Sequence, residues 1–426
     1  MTELFTLIDT TTVIAVLRLI ISLILIAVQL YILRAALRVV RSMALAPGAE
    51  KIVAIAASIF IFFVNLPLVV FMIEGLIRPR GLLLLTPPPG YESIARPLGY
   101  AFFVWTLGSI MFAVIAPIVM GAFAAFQFFR RKRAIQSAET TIEAFDFSRR
   151  RFLQMALAAM ASMPFAVSAY GAVAARYRKV VEKAVIPIAG LPPQLDGLTI
   201  VQLSDIHSGL FMTESQMREY VEIANELKPD IVALTGDYVA TSNNQVPAFL
   251  RAVSALRARL GVFACLGNHD MFTDSEEMLE RGFAQAGFRL LRNENEIIEI
   301  NGARLNIIGV DYIGRTGGYL HRLDDALDGI SLEGTTILLL HSPKSFPDAA
   351  KAGIHLTLSG HTHGGQITLN IGELILTPIR LETMFIAGLF KIGDSHLYVN
   401  RGLGTTGPPI RINAPPEITH ITLKAV

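Results

Sequence analysis

The sequence has a single cysteine, Cys265, among its 426 residues. One cysteine cannot form an intrachain disulfide, so no disulfide framework holds this chain together. Cys265 lies in an apolar run that we interpret as a buried strand, and a buried thiol is compatible with an oxidising or a reducing compartment. The cysteine count therefore leaves the cellular location open.

The chain also lacks any strong excess of charge. It carries 37 Lys and Arg against 35 Asp and Glu, which gives a formal net charge of +2. A nucleic-acid-binding surface normally shows clustered basic residues, often with aromatic residues between them. No such stretch is present, and we expect no nucleic acid partner.

Histidine is missing from the sequence before His207, and that part of the chain is dominated by long apolar runs. Each run can cross a hydrocarbon core, which needs about 20 helical residues. The runs are residues 13–33, 52–73 and 98–126. We predict that residues 1–150 form an all-α membrane domain with three transmembrane helices and cytoplasmic basic segments, so that a lipid bilayer is a partner.

A fourth apolar run follows the basic sequence Arg149-Arg150-Arg151-Phe152-Leu153-Gln154. This sequence resembles a twin-arginine export signal, although such signals are usually N-terminal and have lysine where Gln154 stands. The alternative is the positive flank of an ordinary membrane helix. Residues 151–175 are therefore either a fourth transmembrane helix or a twin-arginine-like signal anchor.

The distribution of basic residues predicts the orientation, because such residues collect on the cytoplasmic side. They are dense after the first span and after the third, and sparse between the second and third, where Arg78, Arg80 and Arg96 occur. The N-terminus should then lie outside. We expect a multi-pass protein of the cell (inner) membrane with an extracytoplasmic C-terminal domain, although basic residues at 176–179 argue mildly against this.

Five short segments in the second half of the chain each end a strand-like apolar run with metal-ligand side chains. Strand ends are where open α/β sheets hold their functional side chains in fixed directions. The segments are Asp205-Ile206-His207, Gly236-Asp237, Gly267-Asn268-His269-Asp270, His341 and Gly360-His361-Thr362-His363. Together these side chains can surround two divalent cations, and the bridging carboxylate is expected to be Asp237.

In this order the segments resemble the pattern of the calcineurin-like metallophosphoesterase superfamily: D-x-H, G-D, G-N-H-[DE], H, G-H-x-H. Residues 359–366, and 401–404 leading to 415–418, resemble the membrane-associated branch grouped with UDP-diacylglucosamine hydrolases. The resemblance covers residues 197–426. It implies an α/β fold, the four-layer αββα sandwich, for the metallophosphoesterase domain that follows the membrane region.

The resemblance also implies roles for the matching residues. Asp205, His207, His363 and the shared Asp237 would hold one metal, and Asn268, His341 and His361 would complete the second site. Imidazole and carboxylate ligands admit manganese, iron, zinc or cobalt. His269 would stabilise or protonate the leaving oxygen. Asp270 would orient a neighbouring ring, or else cap the helix predicted at 275–286.

Other residues receive weaker interpretations. Many relatives have Asp-Arg where this chain has Ala240 and Thr241, which argues against the protein-phosphatase branch. Lys344, close after His341, is a candidate to meet a substrate phosphate, with a surface or structural role as the favoured alternative. Surface or structural roles are also expected for the other candidate charges and for the histidines outside the motifs: Asp311, Arg401, His321, His355, His396 and His420.

Between the two parts, residues 176–196 contain several prolines and a glycine, and we predict a linker without regular structure there. Helical spacing predicts helices over 213–227, 246–260 and 275–286. The catalytic domain, 197–426, should then contain helices that alternate with strands in its first half and mainly strands in its second.

The sequence thus predicts a membrane-anchored dimetal hydrolase of phosphoric ester or anhydride bonds. The expected reaction is cleavage of a phosphodiester or pyrophosphate by metal-bound hydroxide. The expected substrate is a phosphate ester, lipid-linked as in an envelope lipid or a nucleotide-linked glycolipid. The alternatives are a broad-specificity phosphomonoesterase and a non-catalytic, metal-binding membrane sensor or scaffold.

Overall fold

The computed structural model describes residues 10–42, 48–77, 87–88, 90–136, 147–312, 323, 326–327, 334–372 and 374–426. Arg78, Arg80 and His321, which entered the predictions above, lie outside these ranges. The chain divides into two compact units, Met1–Ala172 and Val173–Val426.

The first unit is helical. Its helices are α1 (Thr10–Ser42), α2 (Ala49–Ile77), α3 (Glu92–Gln136) and α4 (Phe147–Val173). Among the residues that the structure describes, three stretches are long and apolar enough to cross a membrane: Val16–Arg38, Ala49–Val70 and Glu92–Phe126. The expected N-terminal region of apolar helices compatible with membrane spans is therefore confirmed, and it supports association of the chain with a membrane.

The only tryptophan of the sequence, Trp105, links the four helices of this unit. Its Nε1 donates a hydrogen bond to Gln29 Oε1 of α1 over 2.5 Å. Its ring packs edge-on against Phe60 of α2 at 5.0 Å and lies 4.8 Å from the ring of Phe165 of α4. Tryptophan suits this position because its indole N–H has a hydrogen-bond acceptor while its large apolar ring packs against two other rings.

The second unit contains two mixed sheets. The first sheet has the order β1 (Val180–Ile188), β14 (Glu417–Ala425), β2 (Thr199–Leu203), β3 (Ile231–Thr235), β4 (Gly261–Cys265) and β5 (Arg289–Leu290). The second has the order β12 (Gly388–Ile392), β13 (Ser395–Val399), β9 (Leu356–Ser359), β8 (Thr335–Leu340), β7 (Ala303–Val310) and β6 (Glu294–Ile300). A separate two-stranded ribbon pairs β10 (Leu369–Ile371) with β11 (Leu374–Leu376).

The two sheets pack face to face because their strands alternate between two apolar surfaces. On β3, Ile231 and Ala233 face the core between the sheets, whereas Val232 and Leu234 face a helical layer. That layer contains α5 (Glu214–Glu226), α6 (Val246–Val253) and α8 (Glu276–Gln285). On the far side, the short helix α9 (Phe346–Lys351) covers the second sheet. These layers form the predicted four-layer αββα sandwich.

The helix bounds follow local capping. Thr213 and Gln216 form a reciprocal capping box at the start of α5. Helix α6 ends at Val253, earlier than the predicted helix at 246–260. The reason is Asn225, whose side chain binds the Ala255 carbonyl and the Arg257 amide at 2.8 Å each, so this segment of backbone is held outside the helix.

The prediction that residues 176–196 lack regular structure is wrong. Residues 180–188 form strand β1, which runs parallel to β14 along the edge of the first sheet. Ile186 and Ile188 are fully buried between the sheets. Proline is tolerated near the end of an edge strand, which is where Pro187 lies. The folded unit therefore begins before residue 197.

Candidate metal centre

The parallel strands bring the five motif segments to one end of the sandwich. Strands β2, β3 and β4 are parallel to one another, as are β7, β8 and β9. Their carboxyl ends are followed by the predicted ligand residues. All seven of these side chains lie in one cluster: Asp205, His207, Asp237, Asn268, His341, His361 and His363.

The first ligand group consists of Asp205, His207 and His363. His363 Nε2 lies 3.3 Å from Asp205 Oδ1 and 3.1 Å from His207 Nε2. All three side chains are buried. Two ring nitrogens and a carboxylate oxygen therefore converge on one small volume.

The second ligand group consists of Asn268, His341 and His361. Asn268 Oδ1 lies 3.1 Å from His341 Nε2 and 2.9 Å from His361 Nδ1. The two ring nitrogens are themselves 3.3 Å apart. This arrangement again directs one oxygen and two nitrogens at one volume.

Asp237 lies between the two groups. Its Oδ2 is 3.5 Å from His207 Nε2 and 3.3 Å from His341 Nε2. Its Oδ1 accepts the backbone N–H of His269 over 2.8 Å, which fixes the rotation of the carboxylate. Asp237 is thus the carboxylate that reaches both groups.

The protonation states suit cation binding. Burial lowers the pKa of His207 to about 3 and holds the pKa of His363 well below its usual value, so both rings are neutral. Burial also acts on His341, but the nearby Asp237 carboxylate outweighs it and raises the pKa of that ring to about 10. The proton on His341 balances the buried negative charge of Asp237. Bound divalent cations would balance that charge in its place. The clustered donors are compatible with a dimetal site and leave the metal open.

Two ligand rings are oriented by a second hydrogen bond. His341 Nδ1 lies 2.7 Å from the Thr235 carbonyl, which leaves Nε2 for the ligand position. His361 Nε2 lies 3.1 Å from Glu382 Oε1, which leaves Nδ1 for it. Such partners fix the ring and raise its basicity as a ligand.

Glu382 was not identified from the sequence. It also pairs with Lys344 at 2.6 Å, so the weakly predicted candidate Lys344 contacts a carboxylate. Hydrogen bonds from His361 and Lys344 lower the pKa of Glu382 to about 2. No local motif marks this glutamate, because its partners lie in other segments of the chain.

Asp270 does not orient a ring, and this part of the prediction is wrong. Its buried carboxylate accepts the backbone N–H groups of Gly267, Asp237 and Tyr238 at 2.8–2.9 Å. It therefore joins the loop after β3 to the start of α7 (Asn268–Phe272). It does not cap α8, the helix of the alternative interpretation. Asp270 positions ligand-bearing backbone.

His269 is held by the segment in which this chain departs from many relatives. Its Nδ1 lies 2.6 Å from the carbonyl oxygen of Ala240. The backbone carbonyl of Ala240 therefore orients the His269 ring. The ring of His269 packs edge-on against His207, with centroids 4.6 Å apart, so its free nitrogen faces the cluster.

Close backbone approach requires a glycine at Gly236. Its φ is +87°, and a Cβ there would lie 2.6 Å from the Gly267 amide nitrogen and 2.9 Å from His341 Nδ1. Only glycine combines this backbone conformation with this proximity. The end of β3 can therefore lie directly against two ligand-bearing segments.

The stretch 401–404 packs on the first ligand group. Leu403 N–H donates to the Ser204 carbonyl over 3.0 Å, and Gly404 N–H donates to the Asp205 carbonyl over 2.7 Å. Arg401 itself forms ion pairs with Glu417 and Glu182, as its structural interpretation implies. Asp311 similarly pairs with Arg292 at 3.0 Å.

Arg411 holds residues 401–404 in place through hydrogen bonds. Like Glu382, it was not identified from the sequence. Its side chain is fully buried, and its guanidinium donates to the carbonyls of Gly404, Ala414, Arg401 and Gly402 at 2.5–3.0 Å. Nη2 lies 3.3 Å from His363 Nδ1. Burial lowers the pKa of Arg411 to about 10, still above neutrality, so the group stays charged.

A cavity of about 370 Å³ opens over the ligand groups. Four candidate ligands, Asp237, Asn268, His361 and His363, line it, together with residues that include His269, Gln366, Ile379, Glu382 and Thr406. Thr406 Oγ1 lies 2.8 Å from His363 Nε2 and 3.2 Å from His207 Nε2. The cluster is therefore accessible to a small polar group from outside.

Comparisons with known proteins agree with this geometry. The family model described as calcineurin-like phosphoesterase matches residues 198–365. A cow protein named as a transmembrane protein with metallophosphoesterase domain is 32% identical over 302 residues, which cover 68% of this chain and 66% of that protein, slightly under two thirds of its length.

Two bacterial proteins are matched over most of their own length. The uncharacterized metallophosphoesterase YkuE of Bacillus subtilis is 34% identical over 242 residues, 55% of this chain and 82% of that protein. An uncharacterized metallophosphoesterase of Aquifex aeolicus is 35% identical over 248 residues, 57% of this chain and 91% of that protein.

Proposed function

The chain belongs to the calcineurin-like metallophosphoesterase family, and on that premise we propose that it is a metal-dependent hydrolase of phosphoric ester bonds. One observation carries this proposal. The Asp237 carboxylate lies within 3.5 Å of a ring nitrogen from each ligand group, so both groups form one centre. When two divalent ions are bound, they neutralise phosphoryl charge and acidify water.

We assign the ligands by this geometry. The first ligand group and Asp237 would hold one ion, and Asp237 with the second ligand group would hold the other. Asn268 contributes a neutral carbonyl oxygen, which lowers the negative charge of its site and favours an anionic substrate. The other side chains of the centre are then free to act on that substrate.

His269 is assigned to the leaving oxygen. Its Nδ1 is engaged by the Ala240 carbonyl, so its Nε2 is the nitrogen that faces the cavity. Because Nδ1 donates its proton to that carbonyl, Nε2 carries a proton only in the imidazolium form of the ring, and this proton can pass to the oxygen that leaves as the P–O bond breaks. Histidine suits this role because its unperturbed pKa of about 6.5 lies near neutrality.

The substrate that these features support is a phosphodiester or pyrophosphate of an envelope lipid or nucleotide-linked glycolipid, as in UDP-diacylglucosamine hydrolase-like proteins. The N-terminal apolar helices and the stretches at 359–366 and 401–404 support it. Two aromatic rings near the centre offer contacts for a second ester substituent: Phe272 is 71% exposed, and its ring lies 6.2 Å from that of Tyr312. The Tyr312 ring lies 6.0 Å from His361.

Full-length protein in nanodiscs should hydrolyse bis-p-nitrophenyl phosphate in the presence of manganese. Changing His269→Ala should lower kcat by about a hundredfold or more, because the proton donor is lost. The metal content should be unchanged. The matched control is His420→Ala, on strand β14 and outside the centre, which should keep its activity.

Other outcomes of this assay would redirect the proposal. Equal rates on p-nitrophenyl phosphate, the corresponding monoester, and on bis-p-nitrophenyl phosphate would favour a broad-specificity phosphomonoesterase. A metal-loaded protein without turnover on any phosphate ester would contradict hydrolysis and favour a metal-binding sensor or scaffold.

We also propose that this domain lies outside the cytoplasm, in a cell (inner) membrane protein. The density of basic residues after the first and third apolar runs supports this, and the sequence around Arg149 and Arg150 resembles a twin-arginine signal.

In spheroplasts of a bacterium with a twin-arginine pathway, added protease should digest the domain. The double change Arg149→Lys and Arg150→Lys should protect it, and export that persists would reject the twin-arginine route.

A further inference from the structure

The ribbon β10–β11 has one face that is entirely aliphatic and exposed. Leu369 pairs with Leu376, and Ile371 pairs with Leu374. Paired residues, and residues two apart along a strand, point to the same side of a ribbon. These four side chains, here called the ribbon face, are between 43% and 59% exposed.

The segment after the ribbon adds two more exposed apolar side chains. In the segment that follows, Leu381 is 96% exposed and Met384 is 72% exposed. Exposed aliphatic residues are unremarkable singly, but four grouped on one face of a ribbon mark an interaction surface. Arg380, next to Leu381, is also exposed and gives this surface a cationic flank.

The ribbon is attached to the metal centre by a fixed base. It begins six residues after the ligand His363 and ends six residues before Glu382, which orients His361. Thr377 Oγ1 donates to the Gly365 carbonyl over 3.0 Å. Asn413 Nδ2 donates to the Thr368 carbonyl over 2.9 Å. Whatever the ribbon face binds is therefore held near the cavity that contains the ligands.

We propose that the ribbon face inserts into the acyl-chain region of a lipid bilayer and thereby seats the cavity at the level of lipid phosphates. The occupant is a bilayer because three helices within the described part of the chain are long and apolar enough to cross one. These helices keep the domain at a membrane surface, where effective concentration favours even a small insertion. Burial of aliphatic side chains drives the insertion, and Arg380 meets the anionic headgroups.

Insertion can be measured without any enzyme assay. In the full-length protein, Ile371→Cys is labelled with an environment-sensitive fluorophore, since the native Cys265 is fully buried and should not react. In nanodiscs that contain spin-labelled acyl chains, the label should be quenched and its emission blue-shifted. Leu389→Cys, on strand β12 and 44% exposed, is the matched control and should show neither effect.

Lack of quenching at Ile371→Cys would overturn the proposal. If the Ile371→Cys variant also had a changed oligomeric state, the ribbon face would be a protein interface, and this result would equally overturn the proposal. Quenching in a protein that hydrolyses no phosphate ester would support docking while the proposed function failed, so the two failures are distinguishable.

The consequence for substrate choice rests on the proposed function. Threonine at the four ribbon-face positions keeps strand propensity but removes most of the apolar surface. This variant should lose roughly tenfold or more of its rate on a long-chain phosphodiester lipid in nanodiscs. Its rate on soluble bis-p-nitrophenyl phosphate should stay within about twofold.

The control for that variant places threonine at four other exposed apolar strand positions: Val185, Ile297, Leu389 and Ile392. It should retain both rates. Equal losses on both substrates in the ribbon variant would mean a damaged centre and would overturn the docking role.

Discussion

Replacing Asp237 with asparagine should abolish phosphoesterase activity, with a fall in kcat/KM of about a thousandfold or more, because several kcal/mol of metal-dependent transition-state stabilisation are lost. The physical reason is the position of Oδ2, 3.5 Å from His207 Nε2 and 3.3 Å from His341 Nε2. An amide oxygen in the Oδ2 position has no negative charge to share between two cations, and the amide N–H₂ would then face the His269 N–H that Oδ1 accepts. Activity and bound manganese are measured on the same samples.

Asp230→Asn is the matched control, because Asp230 and Asp237 flank the same strand, β3, at opposite ends. Asp230 accepts the Thr199 N–H at 2.8 Å and pairs with Arg259 at 2.7 Å, away from the ligands. Its variant should keep its metals and its activity. Full activity in Asp237→Asn would contradict the shared-carboxylate assignment.

Replacing Arg411 with methionine should strongly destabilise the C-terminal unit. The side chain keeps similar bulk, but four backbone carbonyls lose their buried, charged donor. Leaving such groups unsatisfied should cost about 3 kcal/mol or more. For a domain of this size, that loss corresponds to a fall in Tm of roughly 6–12 °C, measured by thermal unfolding of the detergent-solubilised protein.

Arg251→Met is the control, because Arg251 is an exposed arginine whose side chain is 59% accessible and pairs with Glu214. Exposed pairs of this kind contribute about 1 kcal/mol or less. The Arg411 variant should also bind metal more weakly, since Arg411 holds the stretch that packs on Asp205. An unchanged Tm in Arg411→Met would show that the carbonyls find other donors.

The clustering of the candidate ligands was predictable because each of them lies just after an apolar strand. In parallel strands the carboxyl ends meet at one edge, so residues distant in sequence, such as Asp205 and His363, must converge. The helix at 213–227 was predictable because its apolar residues recur at helical spacing, and in the structure Thr213 and Gln216 cap its start.

The residues that support the ligands were not predictable from local patterns. Arg411 reads as a surface charge in sequence, and its burial arises only because the loops around residues 363 and 402–404 close over it. Glu382 meets His361 across a folded loop and the ribbon. Asp270 was expected to act on a ring, but the tight turn at Gly236 brings backbone N–H groups to it instead.

Strand β1 shows how tertiary context overrides composition. Pro187, Gly190 and the following prolines predict a linker, yet the pairing of 180–188 with β14 satisfies the backbone there, and two isoleucines complete the core. Exposure alternates along β1 in the structure, but the sequence of Val180–Ile188 shows the matching apolar and polar alternation only weakly.

The most direct test of the paired-ion centre is the metal content of well-folded, full-length protein loaded with manganese and measured by elemental mass spectrometry. The account predicts about two ions per chain, and about one after either His207→Ala or His341→Ala, which remove a ligand from one group each. A folded wild-type protein that binds no divalent transition ion, or loses none when these histidines are replaced, would contradict it.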